Sequence, residues 1–264
     1  MKIRVFEAFA GYGSQAMAPK RLQADFPDKI EFEVVGISGI DHYAITAYKA
    51  IHGDTPNFGD ISRIDWAKVP DFDLFTYSFP CQDISTAGRQ RGFNEGSGSR
   101  SSLLWECRSA IAAKLPKYLL MENVKALVQK KFKIEFQRWV DTLSELGYTN
   151  FWQVLNAKDY GVPQNRERVF MVSILGNAAF EFPEPFPLKK RLRDVLEEDV
   201  DKNYYLKDEQ VQRIFAHCER KQVEGCGFKA QFTLPDKICG TITGNYGQRE
   251  TDTYLKLNEA SNPD

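Results

Sequence analysis

Short apolar runs alternate with amphipathic segments from the start of the chain to about Leu175. The runs at 73–78 and 118–121 are typical of buried parallel strands, and the segments between runs show helical spacing. We expect Ser14 to cap the first helix. This alternation predicts an α/β fold built on a doubly wound, mainly parallel sheet. The predicted strands are 3–9, 33–37, a short one ending near Ile61, 73–78, 118–121, 151–156 and 169–174, and the predicted helices are 14–26, 43–52, 101–115, 125–146 and 208–221.

The pattern changes after Leu175. Residues 180–187 are spaced by prolines, which favours an extended linker. The remainder has one predicted helix and is then rich in Gly, Thr and Asn. We therefore predict a large domain over residues 1–178, followed by a linker and a smaller region over 179–264.

Two reactive side chains follow apolar runs. Cys81 stands directly after Pro80, on a turn that the proline ring stiffens, and Glu122 ends the run 118–121. A lone cysteine in such a place is usually a buried small hydrophobe, and a lone glutamate is usually solvated. Open α/β sheets, however, place their chemistry at the carboxyl ends of the strands. A thiol and a carboxylate together there favour chemistry on a pyrimidine ring.

Composition narrows the class of protein. With 264 residues and 42% hydrophobic content, the chain can bury one substantial core. It has no apolar run of about 18 residues and no apolar leader, so we expect no membrane span. The five cysteines include no Cys-x-x-Cys pair, which fits reduced thiols in a cytoplasm and predicts no metal site. The net charge of −1 gives no evidence for nucleic-acid binding.

The chain carries, in a fixed order, the segments 6–13, 59–61, 78–82, 98–101, 122–124 and 164–168. This set of segments resembles the DNA (cytosine-5)-methyltransferases, which include bacterial and phage modification methylases. The resemblance covers nearly all of residues 1–175 and implies the Rossmann-like fold of class I S-adenosylmethionine-dependent methyltransferases. Its most specific segments are Pro-Cys-Gln, Glu-Asn-Val and Gln-x-Arg-x-Arg.

The resemblance implies that S-adenosylmethionine binds over the glycine turn after the first strand. Asp60 would accept a hydrogen bond from the adenine amino group while Ile61 packs on the ring, although an aspartate there also suits a turn cap. No metal is implied. The residues expected to bind the cofactor are Phe9, Ala10, Gly11, Tyr12, Gly13, Ile40, Asp41, Asp60, Ile61, Pro80 and Leu103.

The resemblance also implies the catalytic roles. Cys81 would attack C6 of a cytosine flipped out of duplex DNA, and Glu122 would act on the ring at N3. Asn123 would hold the Cys81 loop. Arg168 would contact the base at O2 and the thiol region, and Arg166 would support the loop or the phosphates, although arginines at such spacing are often salt-bridge partners. The loop after Cys81 would meet DNA through Gln82, Ser85, Arg89 and Arg91.

The chain departs from the family pattern at two places. Gly39 stands where the family has an acid that binds the ribose of the cofactor, and Asp41 is an imperfect substitute. After Tyr246 nothing matches the C-terminal segments of the family, so we expect a partial target-recognition region and a second polypeptide that completes the enzyme, or a truncated chain. An RNA cytosine-5 methyltransferase and a weakly active subunit remain alternatives.

Overall fold

The computed structural model describes residues 1–85, 90–225, 230–242 and 253–256. The chain forms two compact units. The first comprises Met1–Leu155 and Arg168–Phe182, and the second comprises Asn156–Glu167 and Pro183–Asp264. Most residues of the candidate site belong to the first unit.

The first unit is built on a six-stranded sheet with the strand order β2-β1-β3-β4-β6-β5. β1 pairs in parallel with β2 and β3, β3 pairs in parallel with β4, and β6 pairs antiparallel with β4. The predicted doubly wound, mainly parallel sheet is confirmed. Chain order reverses on the two sides of β1, and ligands bind at the carboxyl ends of strands at such a switch point. The strands are β1 (Lys2–Ala8), β2 (Glu31–Ser38), β3 (Leu74–Tyr77), β4 (Tyr118–Val124), β5 (Tyr148–Asn156) and β6 (Glu167–Leu175).

Within the described residues, four α-helices pack with this sheet: α1 (Ser14–Asp25), α2 (His42–His52), α3 (Glu106–Lys114) and α4 (Lys133–Glu145). In α4 the helical spacing of Phe136, Trp139 and Leu143 places all three in the core. The indole of Trp139 also donates a hydrogen bond of 3.2 Å to the Tyr77 hydroxyl. A buried polar group is thereby satisfied at the centre of the apolar core.

The predicted strand ending near Ile61 is wrong. Only one isolated parallel bridge forms there, between Ile37 and Asn57. Pro56 has no N–H to extend this ladder. Farther along, the Asp60 side chain accepts the Ser62 N–H at 3.0 Å and starts a short 3-10 turn at Ile61–Arg63. The chain therefore leaves the sheet edge before a strand can form.

The predicted helix boundaries needed three corrections. Gly13, at φ +84°, is the N-cap of α1, so Ser14 is the first helical residue and not the cap. The helix expected at 101–115 begins as a 3-10 segment, Arg100–Leu104, before α3. The helix expected at 125–146 is interrupted after Lys125–Val128, because Phe132 is buried against Phe93 and the backbone turns to place it there.

The second unit contains α5 (Asp208–Val223) and a parallel pair of short strands, β7 (Gln231–Thr233) and β8 (Thr253–Leu255). Phe215 of α5 stacks on Phe232 of β7 with ring centroids 5.2 Å apart. Among the described helices of the chain, none has the length and apolar character needed to cross a bilayer.

Candidate active site

The turn after β1 borders a cavity of about 210 Å³. Phe9 has φ +56°, a left-handed conformation that is strained for a large side chain, and Gly11 has the same φ value. A Cβ built on Gly11 meets no atom closer than the Phe9 carbonyl oxygen at 4.0 Å, so the space beside this glycine is open to a ligand. The cavity is lined by Phe9, Gly11, Ser38, Gly39, Ile40, Asp41, Ala44, Ile45, Gly59, Asp60, Ile61, Pro80 and Leu103.

Most residues expected to bind the cofactor line this cavity, but three do not. Ala10 is buried among apolar side chains, Tyr12 is exposed, and Gly13 starts α1. Their binding roles stay predictions. The sequence interpretation missed Ser38, Gly59, Ala44 and Ile45, which are small or apolar residues without a chemical signature.

Hydrogen bonds join two walls of the cavity, one formed by residues 38–41 and the other by residues 59–61. The Asn57 side chain accepts the Gly39 N–H at 3.2 Å and donates to the Gly39 carbonyl oxygen at 3.0 Å. The same Asn57 oxygen accepts the Gly59 N–H at 3.0 Å, and the Ser38 hydroxyl donates to the Gly59 carbonyl oxygen at 2.8 Å. Gly39 is thus fixed by backbone contacts, although it offers no acceptor side chain to a ligand.

Two carboxylates stand on these walls. Asp41 Oδ1 accepts the Ala44 N–H at 2.9 Å and caps α2. Asp60 Oδ1 accepts both the backbone N–H and the hydroxyl of Ser62, and these hydrogen bonds lower the pKa of Asp60. Both aspartates line the cavity, where the resemblance leads us to expect the adenine and ribose of the cofactor. Apolar walls with carboxylates suit S-adenosylmethionine, so the residues present fit this cofactor.

A buried carboxylate lies beneath the glycine turn. Glu7 is only 2% exposed, and burial raises its pKa from 4.5 to about 7. The Tyr48 hydroxyl donates to Glu7 at 3.4 Å, and the backbone N–H groups of Gln15 and Ala16 also donate to it. Glu7 therefore satisfies N–H groups in the first turn of α1 that have no partner within the helix.

The predicted nucleophile lies on a turn held by neighbouring segments. Cys81 follows β3 and is partly exposed, and its carbonyl oxygen accepts the Ser85 N–H at 2.8 Å. The Asn123 amide donates to the Phe79 carbonyl oxygen at 3.0 Å, and the Ser101 hydroxyl donates to the Pro80 carbonyl oxygen at 2.5 Å. Pro80 also lines the cavity, so the adjoining Cys81 lies one residue from a residue of the cavity wall.

Glu122 lies beside this turn because of strand register. Tyr77 pairs with Met121, so Ser78 and Glu122 are the next residues along two parallel strands. The Ser78 hydroxyl donates to Glu122 Oε2 at 2.9 Å. Arg168 lies diagonally across the β4–β6 pair, and its Nε is 3.1 Å from Glu122 Oε1. Both carboxylate oxygens therefore face hydrogen-bond donors.

The loop after Cys81 is tied at its base by Asp83, which is 1% exposed. Asp83 accepts the Arg91 Nε–H at 3.0 Å and the Arg100 backbone N–H at 2.9 Å. Although burial opposes its ionisation, these hydrogen bonds lower the pKa of Asp83. Gln82, predicted to contact DNA, accepts from Arg100 Nη1 at 2.8 Å. Arg89, predicted likewise, lies outside the described residues.

Arg166 belongs to the second unit. Its backbone N–H donates to Asn156 Oδ1 at 3.0 Å, and its guanidinium donates to the Ile242 carbonyl oxygen at 3.4 Å. These contacts order the start of the segment that leads into β6. The predicted catalytic role of Arg166 stays a prediction.

Comparison with known proteins identifies the family. A model of the C-5 cytosine-specific DNA methylases matches residues 3–257, and this chain belongs to that family. The type II methyltransferase M2.ScrFI of Lactococcus lactis subsp. cremoris is 44% identical, over 79% of this chain and 71% of the relative. The orphan methyltransferase M.SssI of Spiroplasma monobiae is 35% identical, over 78% of this chain and 69% of the relative.

Solved structures support the fold. The Schizosaccharomyces pombe Dnmt2 methyltransferase superposes with a TM-score of 0.72 at 22% identity, covering 98% of this chain and 77% of that protein. A putative DNA modification methyltransferase from an Escherichia coli prophage gives a TM-score of 0.63 at 18% identity, covering 90% of this chain and 82% of that protein. These similarities confirm the predicted methyltransferase fold.

Proposed function

We propose that this chain methylates C5 of cytosine in duplex DNA through a covalent bond between Cys81 and C6 of the base. The observation that carries this proposal is the position of Pro80, which lines the cofactor cavity while the adjoining Cys81 lies on a turn beside Glu122. Family membership supports the same reaction. A thiol nucleophile and a carboxylate thereby stand next to the space for a methyl donor.

The reaction starts with the Cys81 thiolate, which forms a bond to C6 of cytosine. Once the base is bound, Glu122 shares a proton with N3 of the ring, which draws electrons from C6 and makes C5 nucleophilic after the attack. S-adenosylmethionine, when bound, would supply the electrophilic methyl group that C5 takes up, and with its S–CH3 bond broken it would leave as S-adenosylhomocysteine. C5 then loses its proton to a base, and the C6–Cys81 bond breaks to release 5-methylcytosine and the thiolate.

The other residues hold this arrangement. Asn123 fixes the backbone just before Cys81 through the Phe79 carbonyl oxygen, and Arg168 orients Glu122. Phe9, Ile61 and Leu103 would pack on the cofactor, while Asp41 and Asp60 would accept from its hydroxyl and amino groups. Their positions around the cavity support these roles.

The target cytosine has to leave the stacked duplex, because C5 and C6 are otherwise beyond the reach of Cys81. We assign the DNA contacts to the loop after Cys81, with Gln82, Ser85, Arg89 and Arg91 as its polar members. Arg91 already pairs through Nε with Asp83, so a phosphate would meet the terminal nitrogens of its guanidinium. The type II relatives favour a role in restriction–modification.

The test is incubation of the purified chain with radiolabelled S-adenosylmethionine and either unmethylated duplex DNA or transfer RNA. We expect labelled 5-methylcytosine in the nucleosides of the DNA and none in those of the RNA. Label in RNA alone would replace the proposed substrate with the alternative one. The comparisons lend no support to a second polypeptide. Turnover by the isolated chain would contradict the expectation that one is needed.

A further inference from the structure

A line of hydrogen bonds connects the first turn of α1 with the carboxylate of Glu122. The Gln15 side-chain amide donates a hydrogen bond to the Ser78 hydroxyl oxygen. The Ser78 hydroxyl donates in turn to Glu122 Oε2 at 2.9 Å. Gln15 comes just after the glycine turn, and Ser78 comes just before Phe79-Pro80-Cys81. The line therefore runs from the cofactor turn to the base-binding carboxylate.

The direction of these hydrogen bonds follows from the chemistry of the groups. An ionised carboxylate only accepts, so the single hydroxyl proton of Ser78 has to point to Glu122. The Ser78 oxygen then needs a donor, which the Gln15 amide nitrogen provides. The reverse orientation of the amide would place two acceptor oxygens around one proton. Gln15 thus favours the orientation in which the Ser78 hydroxyl proton points to Glu122.

We propose that Ser78 is a positioning residue for Glu122 and that Gln15 orients the Ser78 hydroxyl. Together with Arg168 on Oε1, Ser78 on Oε2 gives each carboxylate oxygen a donor, which restricts rotation of the terminal carboxylate group. A carboxylate fixed before the base arrives does not have to be ordered during the reaction. The inference rests on the proposed function, since it concerns the group that acts on the cytosine ring.

The expected effect falls on turnover and not on binding, because neither side chain lines the cofactor cavity. A hydrogen bond to a charged group corresponds to roughly tenfold or more in rate. Ser78→Ala should therefore lower kcat by about tenfold or more and leave KM for S-adenosylmethionine and for DNA within about twofold. Ser78→Thr keeps a hydroxyl and should recover most of the lost kcat. Gln15→Met should lower kcat in the same direction.

The matched control is Ser173→Ala on β6. Ser173 is buried, whereas Ser78 is partly buried, and among the described residues the Ser173 hydroxyl has no hydrogen-bond partner. The measurement is steady-state methylation of one duplex by the four variants and the wild-type protein, which gives kcat and KM, with thermal unfolding of each to compare stability. If Ser78→Ala fails to fold, Gln15→Met carries the test.

The result that supports the inference is a loss of kcat in Ser78→Ala and Gln15→Met, recovery in Ser78→Thr, and wild-type kcat in Ser173→Ala. Equal kcat for Ser78→Ala and Ser173→Ala overturns the inference while an active wild-type protein leaves the proposed function standing. A rise in KM with kcat unchanged also overturns it, because the residues would then serve binding. A wild-type protein without methyl transfer overturns both.

Discussion

The side-chain amide of Asn123 donates a hydrogen bond of 3.0 Å to the carbonyl oxygen of Phe79, within the buried interior. Asn123 also accepts the Val124 N–H at 2.8 Å, which fixes the orientation of its own amide group. Asn123, the residue next to Glu122, therefore holds the backbone segment that leads to Cys81. This hydrogen bond joins the end of β4 to the segment that follows β3.

Asn123→Ala should reduce turnover through this backbone contact. The Phe79 carbonyl oxygen would be left buried without its donor, at a cost of about 1–3 kcal/mol, and the Cys81 turn would lose its fixed position. We expect kcat to fall about tenfold in steady-state methylation assays. Asn150→Ala is the control, because Asn150 donates to Val140 and Ser144 away from the site. Equal kcat values for the two variants would show that Asn123 only stabilises the fold.

An acid introduced at Gly39 should tighten cofactor binding. A Cβ built on Gly39 lies 2.7 Å from Ile45 Cδ1, the flexible end of a side chain, so Ile45→Val makes room for it. We expect the double variant Gly39→Glu with Ile45→Val to bind S-adenosylmethionine about tenfold more tightly in calorimetry, because a charged acceptor meets the ribose hydroxyls. Ile45→Val alone and Gly39→Gln with Ile45→Val are the controls. Unchanged affinity in the Glu variant would mean that Asp41 already serves the ribose.

The protein should lose stability as the pH rises because of Glu7. Between its ordinary pKa of 4.5 and its folded pKa of about 7, the folded protein holds a proton that the unfolded chain has released. The free energy of unfolding therefore falls by about 3 kcal/mol across this range. Denaturant titrations at about pH 5 and about pH 7.5 should show a smaller fall for Glu7→Gln. The exposed Glu184→Gln is the control, and parallel curves for Glu7→Gln and wild type would contradict the prediction.

The fold was largely predictable where apolar runs and reactive residues coincide along the chain. The runs before Cys81 and Glu122 became β3 and β4, and their parallel register placed the two segments side by side. The glycine turn after β1 also came from local sequence, since Gly11 and Gly13 both adopt positive φ angles. These features depend on neighbouring residues and so leave a pattern in the sequence.

The features that the sequence did not predict depend on contacts between residues that are far apart along the chain. Phe132 fits the helical pattern of its neighbours, yet its burial against Phe93 interrupts the expected helix. The contact of Gln15 with Ser78 spans 63 residues, and that of Ser78 with Glu122 spans 44 residues. Neither serine nor glutamine carries a local signal for such a role. Tertiary packing determines these features, and a single sequence does not reveal it.

The most direct test of the proposed reaction is mass spectrometry of the chain after reaction with S-adenosylmethionine and a duplex that carries 5-fluorocytosine. Fluorine at C5 cannot leave as the proton does, so the bond between Cys81 and C6 should persist after methyl transfer. We predict a covalent protein–DNA product whose modified peptide contains Cys81, and no such product with Cys81→Ser. A DNA adduct on another residue, or methylation activity retained by Cys81→Ser, would contradict the proposed mechanism.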